Sequence, residues 1–124
     1  MTECSYPRLV ALAVGVLAAV VLAPLHASAA AADVSGTWEA RAMGGRLVAH
    51  VEQNGNTIGG VAYVYHPHGK KVTYHFNGTV DGNRVTLAHH SGHMFNGHVN
   101  SKGQLVGVVT TKKGEQVSVT AQRR

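Results

Sequence analysis

The chain has 124 residues, with 11 Lys+Arg against 6 Asp+Glu, a formal net charge of +5 at pH 7, and 9 histidines. That length bounds it to one small domain, and a single cysteine excludes a disulfide framework. The modest positive balance favours anionic partners, such as an anionic envelope surface, over cationic ones.

The N-terminal part carries the layout of a secretory signal peptide. Arg8 and the amino terminus precede a nearly unbroken apolar run over residues 9–23, Pro24 ends the run, and small residues follow through Ala32. The run is shorter than the about 20 residues a membrane span needs. Residues 1–32 are therefore expected to be a cleaved signal helix, with cleavage after Ala29 or Ala32, and residues 33–124 a secreted or periplasmic domain without a transmembrane segment. The only cysteine, Cys4, lies before the apolar run. A lipid anchor is not expected, and stability must come from packing and hydrogen bonds.

From Asp33 onward, apolar residues alternate with polar ones between turn signals, and no stretch has helical spacing. The pattern predicts about eight strands, over residues 36–43, 46–53, 57–66, 71–80, 84–90, 93–100, 104–111 and 115–122. The connections are short enough for antiparallel hairpins. An all-β fold follows: an eight-stranded antiparallel up-and-down meander closed, or nearly closed, into a small barrel. An internal echo supports it, since Phe76-Asn77-Gly78-Thr79-Val80 runs into one tight turn and Phe95-Asn96-Gly97-His98-Val99 into another. Period-two alternation assigns Trp38, Ala40, Leu47, Val51, Tyr74, Phe76, Val80, Val85, Phe95, Leu105 and Val119 to the core face. It assigns Arg46, His50, Thr73, His75, His98 and Thr120 to the outer face. Residues 57–66 fit either assignment. Gly60, Gly78, Gly97 and Gly107 fall on the core face and leave little room for a large internal ligand.

Gly36-Thr37-Trp38 on the first strand, with Val51-Glu52-Gln53-Asn54-Gly55-Asn56-Thr57-Ile58-Gly59-Gly60 after it, resembles the calycin group of lipocalins, fatty-acid-binding proteins and avidins. The resemblance implies a small barrel with Trp38 across its floor. Trp38 is the single tryptophan, so the resemblance does not extend to biotin binding.

Turns of two kinds alternate along the chain. Asn54-Gly55-Asn56, Asp81-Gly82-Asn83 and Ser101-Lys102-Gly103 are free of histidine, whereas His66-Pro67-His68-Gly69 and His89-His90-Ser91-Gly92-His93 are rich in it. In a meander, alternate turns lie at opposite ends, so His66, His68, His89, His90 and His93 should share one barrel mouth. Imidazole is a good ligand for copper, zinc and nickel. Met43 and Met94 are expected at the same end and favour copper; haem is a further metal-containing candidate. The strand parity places His66, His89 and His93 inward, while mid-strand His50, His75 and His98 face solvent.

Catalysis is not expected. The acids Asp33, Glu39, Glu52, Asp81 and Glu115 form no pair suited to acid–base work, and no carboxylate is evident to orient a histidine beside Ser91. Tyr63, Tyr65 and Tyr74 between basic residues resemble a stacking surface, but export argues against nucleic acid. The expected function is an exported binding protein, taking a transition metal or a small metal-containing ligand at its histidine-rich mouth. The alternative is an envelope structural or interaction protein with incidental histidines.

Overall fold

The computed structural model describes residues 30–124. The expected signal helix lies, as far as residue 29, outside the described residues. Eight strands follow in chain order: β1 (Gly36–Ala42), β2 (Gly45–Asn54), β3 (Thr57–Tyr65), β4 (Lys71–Asp81), β5 (Arg84–His89), β6 (Met94–Val99), β7 (Leu105–Thr110) and β8 (Gln116–Arg123). Each pairs antiparallel with its neighbour in sequence, and β8 returns to β1, so the meander closes into a barrel. The closing seam is the shortest ladder, with only Trp38↔Arg123 and Glu39↔Gln122 as partners. A backbone bond from Arg124 N–H to the Thr37 carbonyl, 2.9 Å, extends it. This small antiparallel barrel is compatible with a calycin-like fold.

Alternation determines what the barrel buries. Trp38, Ala40, Val51, Ile58, Phe76, Val80, Val85, Phe95, Leu105, Val119 and Ala121 form one core with Val34. The ambiguity over residues 57–66 is resolved by register. Ile58 pairs with Gly78 and Val64 with Val72, which turns Ile58, Gly60, Ala62 and Val64 inward. Tyr63 and Tyr65 stand on the outer surface. One outward residue departs from the polar pattern: Val48, between Glu39 and Tyr63 in the ladders, is 4% exposed. Simple alternation does not anticipate this burial.

The two barrel ends differ. At the end bearing the tight turns, residues preceding β1 cross the opening as a strap. Ala32 N–H donates to the Gly82 carbonyl at 2.7 Å, and Val34 N–H donates to Gln53 Oε1 at 2.7 Å. The Arg123 guanidinium donates to the Ser35 carbonyl and lies 4.4 Å from the Trp38 ring centre. Trp38 itself is 1% exposed, and its Nε1–H donates to the Val34 carbonyl at 2.9 Å. Trp38 thus forms the floor, with the strap beneath it. The sequence boundary at Asp33 did not anticipate this strap, because Ala31 and Ala32 read as signal residues; both pack against the core.

Candidate metal and ligand site at the barrel mouth

The opposite end is formed by the β1–β2, β3–β4, β5–β6 and β7–β8 connections, as the closed meander requires. Contacts across the end agree with it. The His66 imidazole lies against Gly44 of the β1–β2 turn, and Lys112 of the β7–β8 turn lies against Gly92 of the β5–β6 turn. The histidine-rich turns therefore share one mouth, and the histidine-free turns share the strapped end.

A cavity of about 140 Å³ runs from Trp38 at the floor to this mouth. Its walls are aliphatic and aromatic, including Leu47, Val64, Phe76, Leu87 and Val109, and its rim carries Met43, Tyr74, His89, His93 and Met94. No carboxylate is among the lining residues. The modest volume agrees with the restriction expected from the interior glycines. Gly97 and Gly107 pair across β6 and β7, and the Phe95 ring occupies the space that their side chains would fill.

The five mouth histidines are not equivalent. His89 and His93 line the cavity. His89 closes β5, and its ring is 6.0 Å from that of His93. His90 turns outward and stacks on His89 at 4.2 Å between ring centres. His66 is half-buried beside Gly44, and His68 is exposed at the tip of the β3–β4 turn. Among the described residues, no three His, Cys, Asp or Glu side chains are gathered to hold a metal ion. The ring of His66, His89 and His93 expected from parity is thus reduced to His89 and His93, because His66 turns toward the β1–β2 connection.

Two neighbours orient this pair. Tyr74 meets the His89 ring edge-on at 5.3 Å and the His93 ring edge-on at 5.8 Å. Such edge contacts restrict ring rotation. Ser91 Oγ lies 2.7 Å from His89 Nδ1, and Ser91 N–H donates to the same nitrogen at 3.2 Å. With Nδ1 accepting, the neutral ring carries its proton on Nε2. His93 differs, since its Nδ1 is buried without a hydrogen-bond partner. Buried nitrogens are normally satisfied, so an orphan at a cavity rim marks a position with unused binding capacity. The sequence suggested Ser91 only as a failed nucleophile, and Tyr74 as core or as part of a stacking surface. The His-x-Ser spacing was the one local signal for the Ser91 contact.

The outer-face histidines behave as expected. His50, His75 and His98 are exposed; His50 Nδ1 is 3.1 Å from Thr37 Oγ1 and its ring packs edge-on against Tyr63.

Loss of solvation, followed by the like charges of His90, His93 and His75, holds the His89 imidazole below its ordinary value. The ring is therefore neutral at neutral pH. A depressed histidine adds stability above the unfolded value of about 6.5, and that stability is lost as pH falls through the lower folded value. The melting temperature should accordingly decline as pH drops below about 6.5, and His89→Gln should flatten this decline. An unchanged slope in the variant would assign the decline to other groups.

Compared with known proteins, the chain matches no family model, no curated protein and no solved structure.

Proposed function

We propose that the protein is an exported, calycin-type binding barrel that takes a transition metal ion at its histidine-rich mouth. The observation that carries this reading is the pairing of His89 and His93 at the rim of a cavity whose other end is closed by Trp38 and the strap. Neutral imidazoles are the form that binds metal, and the depressed His89 is neutral without a metal to displace its proton. Ser91 Oγ, 2.7 Å from His89 Nδ1, stands where an outer hydrogen-bond partner stands around a metal-bound histidine, and Tyr74 packs against both rings.

Calorimetric titration of residues 30–124 with Cu(II), Zn(II) and Ni(II) tests the reading. One equivalent should bind to the wild type. The double variant His89→Ala/His93→Ala should lose that binding, and His50→Ala/His75→Ala should retain it. Equal losses in both variants would mean diffuse attachment to surface histidines.

The cavity itself favours a second reading, a small apolar ligand. Its volume of about 140 Å³ is close to that of an engineered apolar protein cavity of about 150 Å³ that binds benzene. Benzene should then raise the melting temperature by mass action, and Ala62→Leu, which fills the wall, should abolish that rise.

A further inference from the structure

The β1–β2 connection contains an anomaly. Ala42 pairs with Gly45, so Met43 and Gly44 are the two central turn residues. Both have positive φ, 61° and 79°. A two-residue hairpin of this kind favours Asn-Gly, because asparagine tolerates left-handed backbone and glycine has no Cβ to clash. Met43 is the only non-glycine residue with positive φ among the described residues. Backbone strain of this sort persists where surrounding structure holds it, often at functional sites. Here it turns a thioether onto the cavity rim.

A second thioether stands on the same rim. Met94 opens β6 and is 43% exposed. The rim thus carries two sulfurs, from Met43 and Met94, and two imidazoles, from His89 and His93. It has no carboxylate, and hard cations such as Mg²⁺ and Ca²⁺ require oxygen ligands. Thioether sulfur selects soft ions, copper(I) above all.

We propose that the mouth is a copper(I) site, with the Met43 and Met94 thioethers and the His89 and His93 imidazoles as its ligands. The proposal rests on the metal reading above and names the ion. For His89 to bind through Nε2, its proton must move to Nδ1; that gives up the contact from Ser91 N–H and leaves Ser91 Oγ, 2.7 Å away, to accept the proton. His93 contributes a ring that now has an unpartnered nitrogen. No electron transfer is involved, because the ion arrives and leaves as copper(I).

The test compares ions on variants of residues 30–124. Silver(I) serves as a redox-inert probe, copper(I) is supplied anaerobically under a competing chelator, and zinc(II) is the sulfur-indifferent control. Met43→Leu/Met94→Leu keeps the apolar bulk and removes both sulfurs. Affinity for silver(I) and copper(I) should fall by about tenfold or more, while zinc(II) affinity changes by less than about twofold. Met43→Asn should raise the melting temperature of the metal-free protein, by relieving the turn, and still weaken silver(I) binding. X-ray absorption of the wild-type copper(I) form should find sulfur bound to the metal, a readout independent of any variant's folding. Unchanged silver(I) and copper(I) affinity in the leucine pair, or a metal surrounded only by nitrogen and oxygen, would overturn the proposal while leaving the metal reading standing. Equal weakening for all three ions would also overturn it, since the methionines would then act through shape alone. No binding of any ion by the wild type would overturn both.

Discussion

Trp38→Ala is expected to lower the free energy of unfolding by about 3–5 kcal/mol, the range for removing a buried large aromatic. The whole side chain is lost from a position 1% exposed, together with the Nε1–H bond to the Val34 carbonyl. The Arg123 guanidinium also loses the ring it covers, next to the two-pair seam that closes the barrel. Small domains have only about 5–15 kcal/mol in total, so the variant should be largely unfolded at moderate urea concentrations. Urea unfolding followed by circular dichroism reads the difference. A loss under about 1 kcal/mol would mean that Trp38 is not the floor of a packed core.

Gly107→Val is expected to be the second most damaging change. A Cβ at Gly107 would lie 2.6 Å from the Gly97 Cα and 2.7 Å from the Phe95 ring. The first contact is backbone in a hydrogen-bonded neighbour strand, which cannot turn aside as a side chain can. Overpacking typically costs about 1–3 kcal/mol, and valine adds two further methyl groups in the same direction. The melting temperature should fall by several degrees, roughly 4–8 °C per kcal/mol for a domain of this size. A change within about 0.5 kcal/mol, the usual range for surface substitutions, would contradict the close approach of β6 and β7.

Much of this barrel is legible in the sequence because strands and turns obey local rules. Each predicted strand falls within one residue of the observed one at both ends, since the alternation stops where Asn-Gly, Asp-Gly and similar pairs begin. Sorting of the turns between the two ends then follows from topology alone. Met43 shows where that reasoning falls short: read as the last residue of β1, it is instead the first residue of a turn. Nothing in binary patterning distinguishes an apolar strand residue from an apolar residue held at positive φ. The strap is hidden for a similar reason, because Ala31 and Ala32 have the composition of a cleavage region, whereas their contacts depend on Gly82, distant in sequence.

At the candidate site, parity correctly brings His89 and His93 to the rim and leaves His50, His75 and His98 outside. It does not foresee that His66 would turn toward Gly44, because a residue just past a strand end no longer follows the strand's alternation. The edge-on packing of Tyr74 on both rings depends on the β4–β5 register, which pairs Phe76 with His89 and so sets Tyr74 diagonally beside that ring; alternation alone does not fix that register.

The most direct test of the metal reading is imidazole ¹⁵N NMR of residues 30–124 titrated with zinc(II), which is diamagnetic and leaves every ring observable. His89 and His93 should shift together and saturate at one equivalent, while His50, His75 and His98 stay unchanged. Comparable shifts at all histidines without saturation, or a site formed by His66 and His68 with His89 and His93 unmoved, would contradict the account.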